Sequence, residues 1–360
     1  MAVYHVSKPG FIEWLSDLGS RSVFIPEAKP PGRERPQAGA SRTGAAWVRQ
    51  LAGQEQQTPA LDLPRASQSC KGFLLPAAET VAKYGRASGQ PVAVAEGEIV
   101  LVGVRACELR AFVYLDKVML EGEFVEPLYK ARRESAIIIS CDCVDCAETC
   151  CCVLVGGRPY AEEGSDVNVT PLADGFLVEP LSDKGRELLA SKSRDWAEAT
   201  QEHLDRRRQL REAMVERLEK QNAEFTLAAT DENAPVLPEA DEESWQRSAA
   251  DCVECGACTN ICPTCHCFYL FDHAVAAESA ERVRTWDSCL LGTYHRMAGG
   301  VRMKLTPRPE LRSRLANRIL HKFVYSPQQY GMLGCVGCGR CIDACLGAID
   351  IRKVVEDLKQ

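Results

Sequence analysis

The chain has 360 residues, 46% of them hydrophobic and 26% charged, with a net charge of −7 and 19 cysteines. That length supports two or three domains with their own cores, and the acidic balance excludes a nucleic-acid binder as a whole. The start, MAVYHVSKPGFIEWLSDLG, has no basic stretch leading into a continuous apolar one, so the cysteines predict metal in a reducing, cytoplasmic compartment, not a secreted disulfide scaffold.

In chain order, short apolar runs predict strands at Ser22 to Ile25, Val92 to Val94, Ile99 to Val104 and Ala136 to Ile139. Segments Pro76 to Tyr84 and Ala106 to Asp116 read as helices between them, giving an α/β domain over 1–182. Glu27 to Thr58, rich in Pro, Gly, Arg and Gln, reads as an extended surface loop. From Asp183 to Phe225 the pattern is that of a long charged helix, with Leu204, Leu210, Met214 and Leu218 as an apolar stripe. TDENAPVLPEADEES then reads as an exposed acidic linker, so that 183–244 form a helical connector. The last part, 245–360, reads as a ferredoxin-like domain with a long insertion, in which FYLFD and GAIDIRKVV supply strands. The fold class is thus mixed α/β (α+β). No apolar run approaches the ~20 residues of a membrane helix, so direct membrane insertion is not expected.

Two copies of C-x2-C-x2-C-x3-C carry the chemistry: Cys252, Cys255, Cys258 and Cys262, then Cys335, Cys338, Cys341 and Cys345. This spacing lets a short loop and the first turn of a helix wrap a [4Fe-4S] cluster, with Gly256, Ala257, Gly337 and Gly339 letting backbone approach the sulfides. In two-cluster ferredoxins the fourth cysteine of each run ligates the other cluster. The expected sets are therefore Cys252, Cys255, Cys258 and Cys345 on one cluster, and Cys335, Cys338, Cys341 and Cys262 on the other. Zinc also uses C-x2-C pairs, but neither run needs a distant pair or histidines to reach four thiolates.

A second group lies upstream: Cys107 in GVRACELR and six more in CDCVDCAETCCC. Cys107 and Cys141 each follow a predicted buried strand. If those strands are neighbours, both emerge at one sheet edge, where Cys150 and Cys152 complete a set for a third [4Fe-4S] cluster. Spare buried thiols, or a redox disulfide among Cys143, Cys146 and Cys150, are the competing readings. Cys265, Cys267 and Cys289 are expected as non-ligands beside the first cluster motif, and Cys70 as an ordinary thiol.

Together, FLLPAAETV, GVRACELRAF, YKARRESAIIISC, CVECGACTNICPTCHCF, RVRTWDSC, LRSRLANRILHKFVYSPQQYG and CVGCGRCIDAC resemble the β subunit of cytosolic sulfhydrogenases over about residues 65 to 355. The same architecture resembles the corresponding iron-sulfur subunit of anaerobic sulfite reductase and the dicluster subunit of flavin oxidoreductases that work with heterodisulfide reductase. The resemblance implies iron-sulfur clusters and no flavin. It also implies a relay that links an NAD(P)H-binding flavoprotein subunit to a catalytic subunit of hydrogenase, heterodisulfide reductase-like or sulfite reductase type. It maps the upstream set onto Cys107, Cys141, Cys150 and Cys152, with two departures: Glu108 stands for the usual Asp and Cys151 for the usual Phe.

Between Arg282 and Lys322 the chain has ten Lys or Arg against Asp287 and Glu310. Cations near a cluster would raise its potential, and a basic face would dock an acidic partner; a solvated helix face is the blander reading and nucleic acid the least supported. His266 reads as a satisfied histidine before a ligand. No glycine fingerprint of a dinucleotide site follows a strand. The competing function is a thiol-based disulfide or sulfur reductase built on the upstream cysteine loop.

Overall fold

A computed structural model describes residues 2–18, 21–28, 45–50, 58–85, 89–92, 98–190, 196–227, 241–297 and 306–359. Their strands are β1 (Tyr4–Val6), β2 (Ser22–Ala28), β3 (Ala45–Gln50), β4 (Ala78–Tyr84), β5 (Gly89–Pro91), β6 (Ile99–Val104), β7 (Ile137–Cys141), β8 (Val167–Pro171), β9 (Phe176–Pro180), β10 (Ala197–Glu198), β11 (Phe268–Ala276) and β12 (Ser279–Trp286). A first sheet runs β10-β1-β9-β8-β7-β6-β2-β3 and a second β11-β12-β4-β5.

At the centre of the first sheet β2, β6, β7 and β8 are parallel. Both faces of such strands are covered, which is why IVLVGV and IIISC are continuously apolar. Val100, Val102, Ile137, Ile139 and Cys141 enter the core on one face. Leu101 and Ile138 enter the other, against Leu109, Phe112 and Leu115 of the helix Ala106–Leu120. The crossover puts Cys107 just beyond the carboxyl end of β6 and the cysteine-rich loop just beyond that of β7, where open α/β sheets build their sites.

Four local expectations are corrected. Segment 78–84 is strand β4, because it pairs with β12 and buries Glu79 between Arg132 and Arg284, so tertiary pairing overrides its helix-like pattern. The expected loop 27–58 contains β3, which pairs antiparallel with β2; 29–44 and 51–57 lie outside the described residues. The charged segment from 183 divides into helices Asp183–Leu189 and Gln201–Gln221 around β10. Of its apolar stripe, Met214 and Leu218 are buried, whereas Leu210 is exposed. Finally, the segment after Cys345 is a helix, Ile351–Asp357, capped by Asp350, whose side chain accepts from Arg352 N. Ile351, Val354, Val355 and Leu358 fall on its one buried face. The expected acidic linker ends at Asp241, which caps the helix Glu242–Ala249; 228–240 lie outside the described residues. No described helix is long and apolar enough to cross a membrane.

Candidate metal centres

Each cysteine run forms a loop that closes into one helical turn, Ala257–Asn260 carrying Cys258 and Arg340–Asp343 carrying Cys341. The loops face one another, and two cavities lie between them. Cys252, Cys255 and Cys258 line the first, together with Cys345 from the other run and the apolar Leu290 and Leu315. Cys335, Cys338 and Cys341 line the second, together with Cys262. Each cavity is thus lined by three cysteines of one run and the fourth of the other.

A third cavity lies at the carboxyl edge of the first sheet, and Cys107, Cys143, Cys146, Cys150 and Cys152 line it. Cys141 is not among them. Strand alternation turns its side chain into the opposite core face, where its Sγ contacts Leu61 O (3.8 Å) and Asp142 O (3.4 Å). Two residues later the chain has left the strand, with Cys143 N donating to Pro159 O at 2.8 Å, and Cys143 lines the cavity with Cys150 and Cys152. Cys146 is turned toward the connector helix, its Sγ 3.3 Å from Gln221 Oε1.

The three cavities share walls. Cys341 borders the first and second. Cys338 and Gly337 border the second and third. The latter wall is two strips of backbone in contact, joined by Cys151 N to Gly337 O at 2.8 Å. Gly337 has φ +66, and a Cβ there would lie 2.5 Å from Cys151 O and Cys152 Cα, so only glycine fits. Arg65, Thr149 and Asp343 lock the same junction: Thr149 Oγ1 donates to Asp343 at 2.8 Å and Arg65 Nε donates to Cys338 O.

The walls are positively charged in an unusual way. Four cations of the 282–322 stretch meet carboxylates, Arg282 with Asp272, Arg284 with Glu79, Arg312 with Glu310 and Arg314 with Glu254. Arg318, Lys322 and Arg105 are buried, yet among the described residues none has a carboxylate within salt-bridge distance. Each lines one cavity, Arg318 the first, Lys322 the second and Arg105 the third. Two guanidinium nitrogens of Arg318 have no hydrogen-bond partner. A buried cation is stable only beside an anion, so cavities walled by thiols and unpaired cations suit an anionic thiolate cluster.

Four thiolates around zinc sit about 3.8 Å apart, given a Zn–S length of ~2.3 Å. Among the described residues no three cysteine sulfurs lie within 4.8 Å of one another; the group that does, His5, Asp174 and His203, has no thiol. Contact with the Cys265 thiol, then the Lys322 ammonium, holds the Cys262 thiol well below its ordinary value. Burial pushes Cys143 and Cys107 upward, and Cys152 up to about 12. Any metal held there would have to displace protons.

The remaining thiols lie nearby. Cys265 contacts Cys262, and Cys267 contacts both Cys289 and the Tyr294 hydroxyl. Cys151 lines the second cavity as a fifth thiol, and Cys70 is buried in the core. His266 is held by Thr264 O at 3.1 Å and packs on Tyr114.

Paired loops of this form on this scaffold define a two-cluster iron-sulfur protein, and residues 251–349 match the family model of the 4Fe-4S dicluster domain. The chain is also 32% identical to sulfhydrogenase 2 subunit beta of Pyrococcus furiosus over 266 residues, covering 74% of this chain and 75% of that protein. The chain belongs to the family of iron-sulfur β subunits of sulfhydrogenases.

Proposed function

We propose that this chain is the electron-relay subunit of a sulfhydrogenase-like complex and that three [4Fe-4S] clusters form its path. The observation that carries the reading is the row of three thiol-lined cavities with common walls, each with a buried cation that no carboxylate neutralises. In this reading Cys252, Cys255, Cys258 and Cys345 hold the first cluster, and Cys335, Cys338, Cys341 and Cys262 the second. Cys107, Cys143, Cys150 and Cys152 hold the third. Bound clusters supply one-electron transfer; the chain supplies ligation, spacing and tuning by burial, hydrogen bonds and charge.

Cys255 alone among the cysteines is exposed, and Val253 and Leu346 beside the first cavity are exposed apolar side chains. The first cavity is therefore the end at which a partner docks. The partners fitting this role are an NAD(P)H-linked flavoprotein subunit, together with a catalytic subunit of hydrogenase, heterodisulfide reductase or sulfite/sulfur reductase type.

The test is anaerobic purification of the full chain with iron analysis and low-temperature electron paramagnetic resonance after dithionite. The expected result is roughly 12 iron atoms per chain and three reducible clusters; a colourless, zinc-loaded protein would overturn the reading. Within it, Cys345→Ser should perturb the same resonance signal as Cys252→Ser, and Cys262→Ser the same signal as Cys335→Ser. Grouping by run, with Cys345→Ser matching Cys335→Ser, would refute the exchanged ligation.

A further inference from the structure

Lys322 lies in the single π-turn His321–Tyr325 that interrupts the helical stretch after Leu320, and its side chain is 5% exposed. Its Nζ reaches Cys262 Sγ at 3.3 Å, Thr264 Oγ1 at 3.0 Å and Gly334 O at 2.9 Å. The hydroxyl hydrogen of Thr264 is spent on Gly334 O at 2.6 Å, so Thr264 accepts from the lysine. Three acceptors require three N–H donors, which only the charged ammonium has.

The anchoring is reciprocal, since Gly334 N donates back to Lys322 O at 2.8 Å. Among the described residues no other cation donates to a sulfur proposed as a cluster ligand; Cys345 Sγ accepts only the neutral Ile349 N–H, at 3.3 Å. Charge-assisted hydrogen bonds are about twice as strong as neutral ones. A cluster gains negative charge on reduction, so a fixed positive charge on a ligand sulfur favours the reduced form.

We propose that Lys322 selectively raises the reduction potential of the middle cluster through this bond to Cys262. Lys322 is thus a tuning residue, and the assignment rests on the reading that clusters fill the cavities. The experiment is a redox titration of the full chain followed by electron paramagnetic resonance, comparing wild type with Lys322→Met and Lys322→Arg. The expected result is that one midpoint falls in Lys322→Met, the others stay, and Lys322→Arg moves back toward wild type. If Lys322→Met fails to hold iron, Lys322→Gln, which keeps a donor and removes the charge, carries the same expectation. A wild type with three midpoints and a fully loaded Lys322→Met or Lys322→Gln with none shifted would overturn the proposal and leave the relay intact. Equal movement of all three would overturn it too, since the effect would then be global. A wild type without clusters would sink the relay reading, and this inference with it.

Discussion

The chain carrying Cys143→Ser should retain roughly 8 iron atoms where the three-cluster reading expects roughly 12 in the wild type. Cys141→Ser should keep the full complement. The contrast rests on where β7 ends: within it alternation turns Cys141 into the apolar core with Ile137 and Ile139, and beyond it Cys143 lines the third cavity. Cys146→Ser should also keep its iron, because that thiol is engaged with Gln221 on the connector helix. Iron and sulfide analysis of the three variants decides the matter. Loss of iron in Cys141→Ser with retention in Cys143→Ser would restore the ligand set that the family resemblance implies.

The second large effect is on stability. Arg340, inside the second cysteine run, and Glu108, at the start of the helix after β6, form an ion pair in which both side chains are about as buried as the core itself. Ser69 Oγ and Cys70 N donate to the other carboxylate oxygen, at 2.9 and 3.2 Å, and Arg340 Nε donates to Ala66 O at 3.1 Å. Truncating one partner of such a pair strands the other charge and costs about 3–5 kcal/mol. Arg340→Leu should therefore lower the urea midpoint sharply. Combining it with Glu108→Leu should recover much of the loss, because no isolated charge remains. Additive losses in the double variant would show that packing, not the stranded charge, sets the cost.

The two C-terminal runs were legible because ligand spacing is a local property: each loop places three thiols by itself, and Cys345 and Cys262 line the cavity of the opposite run. Strands β6 and β7 were legible for the same local reason, as continuous β-branched runs. What escaped was set by partners distant in sequence. Segment 78–84 became a strand through β12, some 200 residues away, and the direction of the Cys141 side chain depends on the register of a sheet. The CDC spacing carries no signal for Cys143, since strand alternation gives residues 141 and 143 the same face and only the end of β7 at Cys141 separates the two thiols. Glu108 read only as a departure from a pattern; its carboxylate's role appears once Arg340 is beside it. Lys322 read as one charge in a basic stretch, and no local pattern distinguishes it from Arg312, which pairs with Glu310.

The backbone wall between the second and third cavities also has a consequence in time. Its two strips, Cys151–Cys152 and Gly337–Cys338, meet at hydrogen-bond distance although 185 residues lie between Cys152 and Cys338. At ~5–20 residues per second, a ribosome needs roughly 10–40 s to make the second strip after the first. Through that interval Cys107, Cys143, Cys150 and Cys152 belong to a nascent chain whose enclosure is incomplete. Closure of the third cavity therefore waits for the C-terminal loop, and in the three-cluster reading so does completion of its site.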